Sequence, residues 1–111
     1  GPGFFGGAFG AGLSDEREEC RMSQETYHRL LERYAALRQA IVDAEQEAKG
    51  RLYEEYRVHE QDPDRMVDLF AGEMGMRLLE IQRRTQKQLE GLRKWFRTEL
   101  QRLETEAEKI V

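Results

Sequence analysis

The sequence contains little cysteine, little proline and no long apolar run, and each shortage excludes a class of protein. The single cysteine, Cys20, excludes an internal disulfide and is typical of a reducing compartment, so we expect an intracellular protein, cytoplasmic or nuclear. No apolar run approaches the roughly 20 residues of a membrane-spanning helix, and no secretory signal is recognisable. With only two prolines in 111 residues, the sequence is compatible with long helices.

Residues that perform catalysis or bind metals are also scarce. The two histidines, His28 and His59, lie far apart along the chain, so no Ser/His/Asp or Cys/His arrangement is available. The one group of metal-like residue types surrounds the second proline and comprises His59, Glu60, Asp62 and Asp64. We interpret this group as a solvated turn with a helix cap, because it lacks the ligand spacing of a calcium loop. We therefore predict that the chain is not an enzyme and holds no cofactor or metal.

Charged residues, in contrast, are abundant. They make up 36% of the sequence, and 22 acidic against 18 basic residues give a net charge of −4. This composition is typical of extended, well-solvated helices, and the length allows one small domain at most. The negative balance offers nucleic acid and anionic lipid no bulk attraction. The charge is uneven, however, since residues 14–62 carry 13 acids and 8 bases, whereas residues 77–102 carry 8 bases and 3 acids.

The strongest pattern is an apolar repeat of eleven residues from Val67 to Val111. It consists of three tracks whose single polar member is a threonine: Val67, Leu78, Leu89, Leu100 and Val111; Phe70, Ile81, Leu92 and Leu103; Met74, Thr85, Phe96 and Ala107. Eleven residues in three turns is about 3.67 per turn, so the apolar stripe stays on one side of a nearly straight helix. Asp62 as N-cap and Pro63 as first helical residue mark its start. The sequence therefore predicts one long helix over 63–111.

An earlier amphipathic segment predicts a first long helix over 14–58, with Ser14 as its N-cap. Its apolar stripe follows heptad spacing and then lengthens to steps of four: Tyr27, Leu30, Tyr34, Leu37, Ile41, Ala44, Ala48, Leu52 and Tyr56. A short turn over 59–62 joins two helices of similar length, which favours an antiparallel hairpin. The alternative is a bent rod whose halves pair with other chains.

The predicted fold is therefore all-α, an antiparallel coiled-coil hairpin of two long helices. The helix–helix core is predicted to combine residues of the first helix with residues of the second: Leu30, Tyr34, Leu37, Ile41 and Leu52; Val67, Phe70, Ile81, Leu89, Leu92, Phe96, Leu100 and Leu103.

A second apolar face is predicted on the first half of the second helix, on the side away from the main stripe. It is formed by Leu69, Gly72, Met76 and Leu79. Glycine costs about 1 kcal/mol relative to alanine inside a helix, so Gly72 and Gly75 indicate that another backbone approaches closely. An isolated two-helix hairpin is also marginally stable. We therefore expect a four-helix assembly, most simply a homodimer of hairpins with these residues near its centre.

The first 13 residues contain six glycines, which disfavour regular structure, and Gly1-Pro2 resembles the remnant of a cleaved purification tag. One interpretation is a flexible leader. The other is a linear motif of Phe4, Phe5 and Phe9 that docks in an apolar groove of the same chain or a neighbour.

Six basic residues of the second helix form a possible nucleic-acid face: Arg83, Arg84, Lys87, Arg93, Lys94 and Arg97. Together with Trp95 they resemble surfaces that contact phosphates and stack a base. The competing interpretation is a solvated face that pairs with the acidic first helix.

Our first hypothesis is a non-enzymatic oligomerisation and scaffold module that binds itself and other proteins within a larger protein. The alternatives are a nucleic-acid-binding helical module and a module that docks the Phe-rich peptide of residues 4–9.

Overall fold

The computed structural model describes the backbone of residues 14–110 and the side chains of residues 24–109. Every element in this range is helical and none is a strand, which confirms the all-α prediction. The molecule is elongated, with extents of 72 × 26 × 16 Å. Two long helices and a short one occur, in the order α1 Ser14–Tyr56, α2 Pro63–Ala71 and α3 Glu73–Ile110.

Helices α1 and α3 pack along each other in opposite directions. The Tyr56 hydroxyl, at the end of α1, donates to Oε2 of Glu73 at 3.1 Å, whereas the Tyr34 and Phe96 rings lie 4.7 Å apart farther along. Most side chains predicted for the helix–helix core are half-buried: Leu30, Tyr34, Ile41, Ile81, Leu89, Leu92, Phe96, Leu100 and Leu103. Leu37 is instead 39% exposed, because a single partner helix leaves the edge of the α1 stripe open.

The most buried side chains form a small cluster where α1 ends and α3 begins. Leu52, Tyr56, Leu69 and Met74 are between 1% and 7% exposed. Partly buried apolar side chains complete the cluster: Met66, Leu78 and Ile81. Thr85, the polar member of the eleven-residue repeat, is also buried, and its hydroxyl donates to the Ile81 carbonyl oxygen at 3.0 Å. Its polar group is therefore satisfied within its own helix.

The connection from α1 to α2 is short and has a well-defined cap. Helix α1 ends at Tyr56, two residues before the predicted boundary, because a 3-10 turn over Arg57–His59 follows it. Asp62 caps α2 as predicted, since its Oδ1 accepts from the Arg65 N–H at 3.1 Å and Pro63 is the first helical residue.

The single helix predicted over 63–111 is wrong, because the backbone leaves the helical conformation at Gly72. This residue has φ −116° and ψ −116° and separates α2 from α3. Its N–H donates to the Leu69 carbonyl at 3.1 Å, and its own carbonyl accepts from the Met76 N–H at 3.0 Å. We call this bend the elbow. Glycine weakens a helix locally, and in the bent structure Leu69 is buried in the cluster with Leu52, Tyr56 and Met74.

Compared with the continuous helix that was predicted, the elbow reverses which face of α2 is buried. Val67 and Phe70, predicted for the core, are 65% and 48% exposed. Leu69, predicted for the second apolar face, is 3% exposed and belongs to the buried cluster. These three predictions are wrong for one reason: they extrapolated the stripe of α3 through Gly72 as though the helix were continuous.

Candidate interaction surfaces

The elbow depends on a close backbone contact at Gly75. A Cβ atom at this position would lie 2.2 Å from the carbonyl oxygen and 3.3 Å from the carbonyl carbon of Phe70. Any side chain would therefore clash with the backbone, which has little freedom to move. The two glycines were predicted to mark the close approach of another backbone. At Gly75 a backbone does approach closely, but it is the backbone of Phe70 in the same chain. Gly72 forms the bend itself.

Polar side chains fasten the start of α3 to the end of α1. The Arg77 guanidinium binds the Glu55 carboxylate through both nitrogens, with Nη2 at 3.2 Å from Oε1, and Nη1 donates to the Tyr56 hydroxyl at 3.3 Å. It also lies 5.8 Å from the centre of the Tyr56 ring. The hydrogen bond from Arg77 lowers the pKa of the Glu55 carboxyl, partly offset by desolvation. Both side chains are about half exposed, so the pair fixes geometry more than it adds stability.

Large apolar side chains are exposed on both sides of the elbow. On α2 they are Val67 and Phe70, and on α3 they are Met76 and Leu79, which are 64% and 44% exposed. The members of each pair are three residues apart, so each pair lies on one face of its helix. Met76 and Leu79 thus remain where the second apolar face was predicted. Groups of this kind are typical of surfaces that bind other proteins.

Two further apolar side chains near this end are exposed and were not assigned from the sequence. Val58 is 78% exposed and Tyr53 is 47% exposed. Val58 lies two positions after Tyr56, the last residue of the α1 stripe. This spacing could have predicted that Val58 lies outside the contact between α1 and α3.

The basic residues predicted as a nucleic-acid face are all exposed: Arg83, Arg84, Lys87, Arg93, Lys94 and Arg97. None of them forms an ion pair with any side chain between residues 24 and 109. Within that same range, the one ion pair that joins α3 to α1 is Arg77–Glu55. The geometry of a helix places Arg83, Lys87 and Lys94 in line with Met76 and Leu79 on the outer side of α3. Helix α3 therefore offers an apolar patch followed by a basic stripe.

Trp95 lies at the contact between α1 and α3 rather than on the basic stripe. Its ring is half-buried, and the guanidinium of Arg33 from α1 lies 5.2 Å from the ring centre. This cation–π contact joins the two long helices. This position favours helix–helix packing by Trp95 over the stacking of a base.

The described part of the chain contains neither a metal-binding cluster nor a membrane-spanning helix. No group of three or more His, Cys, Asp or Glu side chains in that part of the chain is placed to hold a metal ion. None of the helices described is both long enough and apolar enough to cross a bilayer. The Phe4, Phe5 and Phe9 motif lies outside the described residues.

Comparisons of the chain with protein-family models, with curated proteins and with solved structures found no match. The function is therefore inferred from the geometry and chemistry of the chain itself.

Proposed function

We propose that this chain is a non-enzymatic, self-associating scaffold module. In this proposal α1 and α3 form an antiparallel coiled-coil hairpin, and two hairpins form a homodimer through the apolar side chains at the elbow end. The observation that carries the proposal is the exposure of Val67, Phe70, Met76 and Leu79, between 44% and 65%. Burying such side chains against a second chain is favourable by roughly 25 cal/mol per Å² of apolar area.

The thin core supports the need for a partner. Among the side chains described, the buried apolar ones are Leu52, Tyr56, Leu69 and Met74, and they lie at one end. Along the rest of the molecule, the apolar stripes of α1 and α3 are covered only by each other. A layer of two helices is marginally stable alone, and a second pair of helices would cover the open sides.

The charge distribution favours a second copy as the occupant. Residues 14–62 have a balance of −5 and residues 77–102 a balance of +5, from 13 acids against 8 bases and 8 bases against 3 acids. The six exposed basic side chains between Arg83 and Arg97 have no acidic partner within residues 24–109. In a two-fold dimer α3 of one copy can lie against α1 of the other, so each contact occurs twice.

We further propose that the module acts within the cell as part of a larger protein, where it joins two copies and presents them to other proteins. The single cysteine supports a reducing compartment.

Replacing the apolar pair on α3 tests this proposal. Met76→Asp with Leu79→Asp should give a monomer by light scattering while the far-ultraviolet circular dichroism remains helical. Gln82→Asp with Gln86→Asp adds the same charge at exposed polar positions of α3 and should leave the dimer intact. Equal masses for both double variants would contradict the proposed surface. Deleting residues 1–12 is a further control, because a change in mass or melting would show that the Phe4–Phe9 segment covers the patch instead.

A second candidate is a nucleic-acid-binding module that uses the basic stripe of α3. The observation that favours it is the absence of acidic partners for the six basic side chains within the described range. Binding of fluorescent single-stranded DNA or RNA should then weaken steeply with added salt. Neutralising Arg83, Lys87 and Lys94 to Gln should reduce that salt dependence. Absence of anisotropy change at low salt would exclude this candidate.

A further inference from the structure

The apolar repeat of the sequence continues through the elbow although the helix does not. Val67 precedes Leu78, and Phe70 precedes Ile81, by the same eleven residues that separate later members of the repeat. In one continuous helix, this phasing would place Val67 and Phe70 on the apolar stripe of α3. In the bent structure it turns Val67 and Phe70 toward solvent.

We infer that α2 alternates between two packings and that self-association selects the straight one. The bent packing is the one described above, in which Leu69 is buried. In the straight packing α2 and α3 are one helix, Val67 and Phe70 rejoin the stripe, and Leu69 joins Met76 and Leu79 on the outer face. This inference rests on the proposed self-association and names the form of the chain that dimerises.

The straight packing leaves part of the stripe for a second copy. Because Tyr56 lies beside Glu73, straightening extends the helix by the ten residues 63–72 past the end of α1, about 15 Å at 1.5 Å per residue. The linker of residues 57–62 can span roughly 20 Å when extended, so α1 can stay in place. The projecting segment carries Val67 and Phe70, with no part of α1 beside them. The same segments of two copies, run in opposite directions, can cover each other around a two-fold axis.

The bent packing hides apolar surface in the absence of a partner. It buries Leu69 and partly buries Met66 in the cluster that also contains Leu52, Tyr56 and Met74. The straight packing loses these contacts and restores helical geometry at Gly72. Its projecting segment with Val67 and Phe70 is covered only when a second copy binds. A second copy that binds the straight form alone shifts the population toward it as the protein concentration rises.

Gly75 distinguishes the two packings. In the bent form an alanine Cβ would lie 2.2 Å from the Phe70 carbonyl oxygen, whereas a continuous helix accepts alanine at any position without such a contact. Gly91, also in α3, has no atom within 4 Å of a Cβ built on it. Gly75→Ala therefore excludes the bent form, and Gly91→Ala is a matched control with the same gain in helix propensity.

The test is a distance between spin labels across the elbow in the full chain. Cys20→Ser removes the native thiol, and Asp64→Cys with Gln86→Cys places labels at exposed positions on α2 and α3. In a continuous helix these positions are about 33 Å apart, for 22 residues at 1.5 Å each, and the bend shortens this distance. Labelled protein is diluted with unlabelled protein so that distances within one chain are measured.

We expect the short distance at concentrations where the chain is monomeric and a growing population near 33 Å as dimer forms. Gly75→Ala should shift the ratio of long to short distances at least tenfold and tighten association by a similar factor, whereas Gly91→Ala should change neither. Leu69→Gln removes a side chain that the bent form buries within one chain and should shift the distances of the monomer toward about 33 Å, with the exposed Leu31→Gln as its control.

The possible outcomes distinguish failure of the two packings of α2 from failure of the proposed self-association. A dimer whose distance stays short overturns the inference and leaves self-association standing. A variant Gly75→Ala that keeps the short distance also overturns it. A straight variant that stays monomeric at every concentration overturns both.

Discussion

Leu69 and Phe70 are neighbours in the chain with opposite environments. Leu69 is 3% exposed in the cluster with Tyr56 and Met74, whereas Phe70 is 48% exposed and contributes its carbonyl to the contact at Gly75. At the scale of single residues, the stability of this end of the molecule therefore depends on the smaller of the two side chains. The larger side chain remains free for a partner.

Truncating Leu69 should destabilise the monomer far more than truncating Val67. Leu69→Ala removes buried apolar contacts and should cost about 2–5 kcal/mol, whereas Val67→Ala, at a 65% exposed position, should change stability by less than about 0.5 kcal/mol. Urea denaturation at low protein concentration measures both. Similar losses for the two variants would mean that α2 does not pack as described.

The Glu55–Arg77 pair should give a small pH dependence to stability. Since Arg77 lowers the pKa of Glu55 in the folded state, the pair stabilises the fold above the ordinary value of 4.5 and this stabilisation is lost as the pH falls through the lowered pKa. Glu55→Gln should melt below the wild type at pH 7, and the difference should narrow below pH 4.5. Glu47→Gln, whose carboxylate pairs with Arg51 on the same helix, is the control. A difference that is constant with pH would contradict this role.

For the individual helices, the sequence predicted the start of α2 correctly but not the ends of α1 and α2. Asp62 and Pro63 mark the beginning of α2 by a cap and a fixed backbone angle, both of which are properties of adjacent residues. The half-buried stripes of α1 and α3 were likewise predictable, because apolar spacing determines which face of a helix is covered.

The elbow was not predictable from the same rules. One glycine weakens a helix by only about 1 kcal/mol, and the uninterrupted apolar repeat argued for continuity. In the bent structure Leu69 instead belongs to the buried cluster with Leu52, Tyr56 and Met74, and such tertiary packing is not encoded in spacing. The same error affected Val67, Phe70 and Leu69, because a bend in the backbone changes which face of the preceding helix is buried.

Removing the cap of α2 should destabilise that helix specifically. Asp62→Ala deletes the acceptor for the Arg65 N–H at 3.1 Å and should cost about 1 kcal/mol. Asp68→Ala, at an exposed position within α2, should cost less than about 0.5 kcal/mol. Thermal unfolding monitored by circular dichroism compares the two, and equal effects would show that Asp62 has no capping role.

Across the whole molecule the charge is uneven, since residues 14–62 have a balance of −5 and residues 77–102 a balance of +5. Among the described side chains, one ion pair joins α3 to α1, Arg77–Glu55. The basic stripe on the outer side of α3 begins beside Met76 and Leu79, so apolar burial and charge pairing can act on the same partner. Such an arrangement favours a defined orientation between two copies over non-specific clustering.

Self-association should therefore weaken with salt. The screening length falls from about 8 Å at 0.15 M to about 3 Å at 1 M, which removes most attraction between exposed charges. Reversing charge with Lys87→Glu and Lys94→Glu should weaken the dimer at least tenfold, because both substitutions occur in each copy and four pairs worth up to about 1 kcal/mol each become repulsive. Lys109→Glu, near the end of α3, should have little effect. Association that strengthens with salt would indicate an interface without charge pairing.

Sedimentation equilibrium of the unmodified chain over a wide concentration range most directly tests whether a second copy covers the open apolar faces. We predict that the weight-average mass rises from 13.1 kDa toward 26.2 kDa, twice the mass of one chain, and stops there. A mass of 13.1 kDa at every concentration would contradict the account.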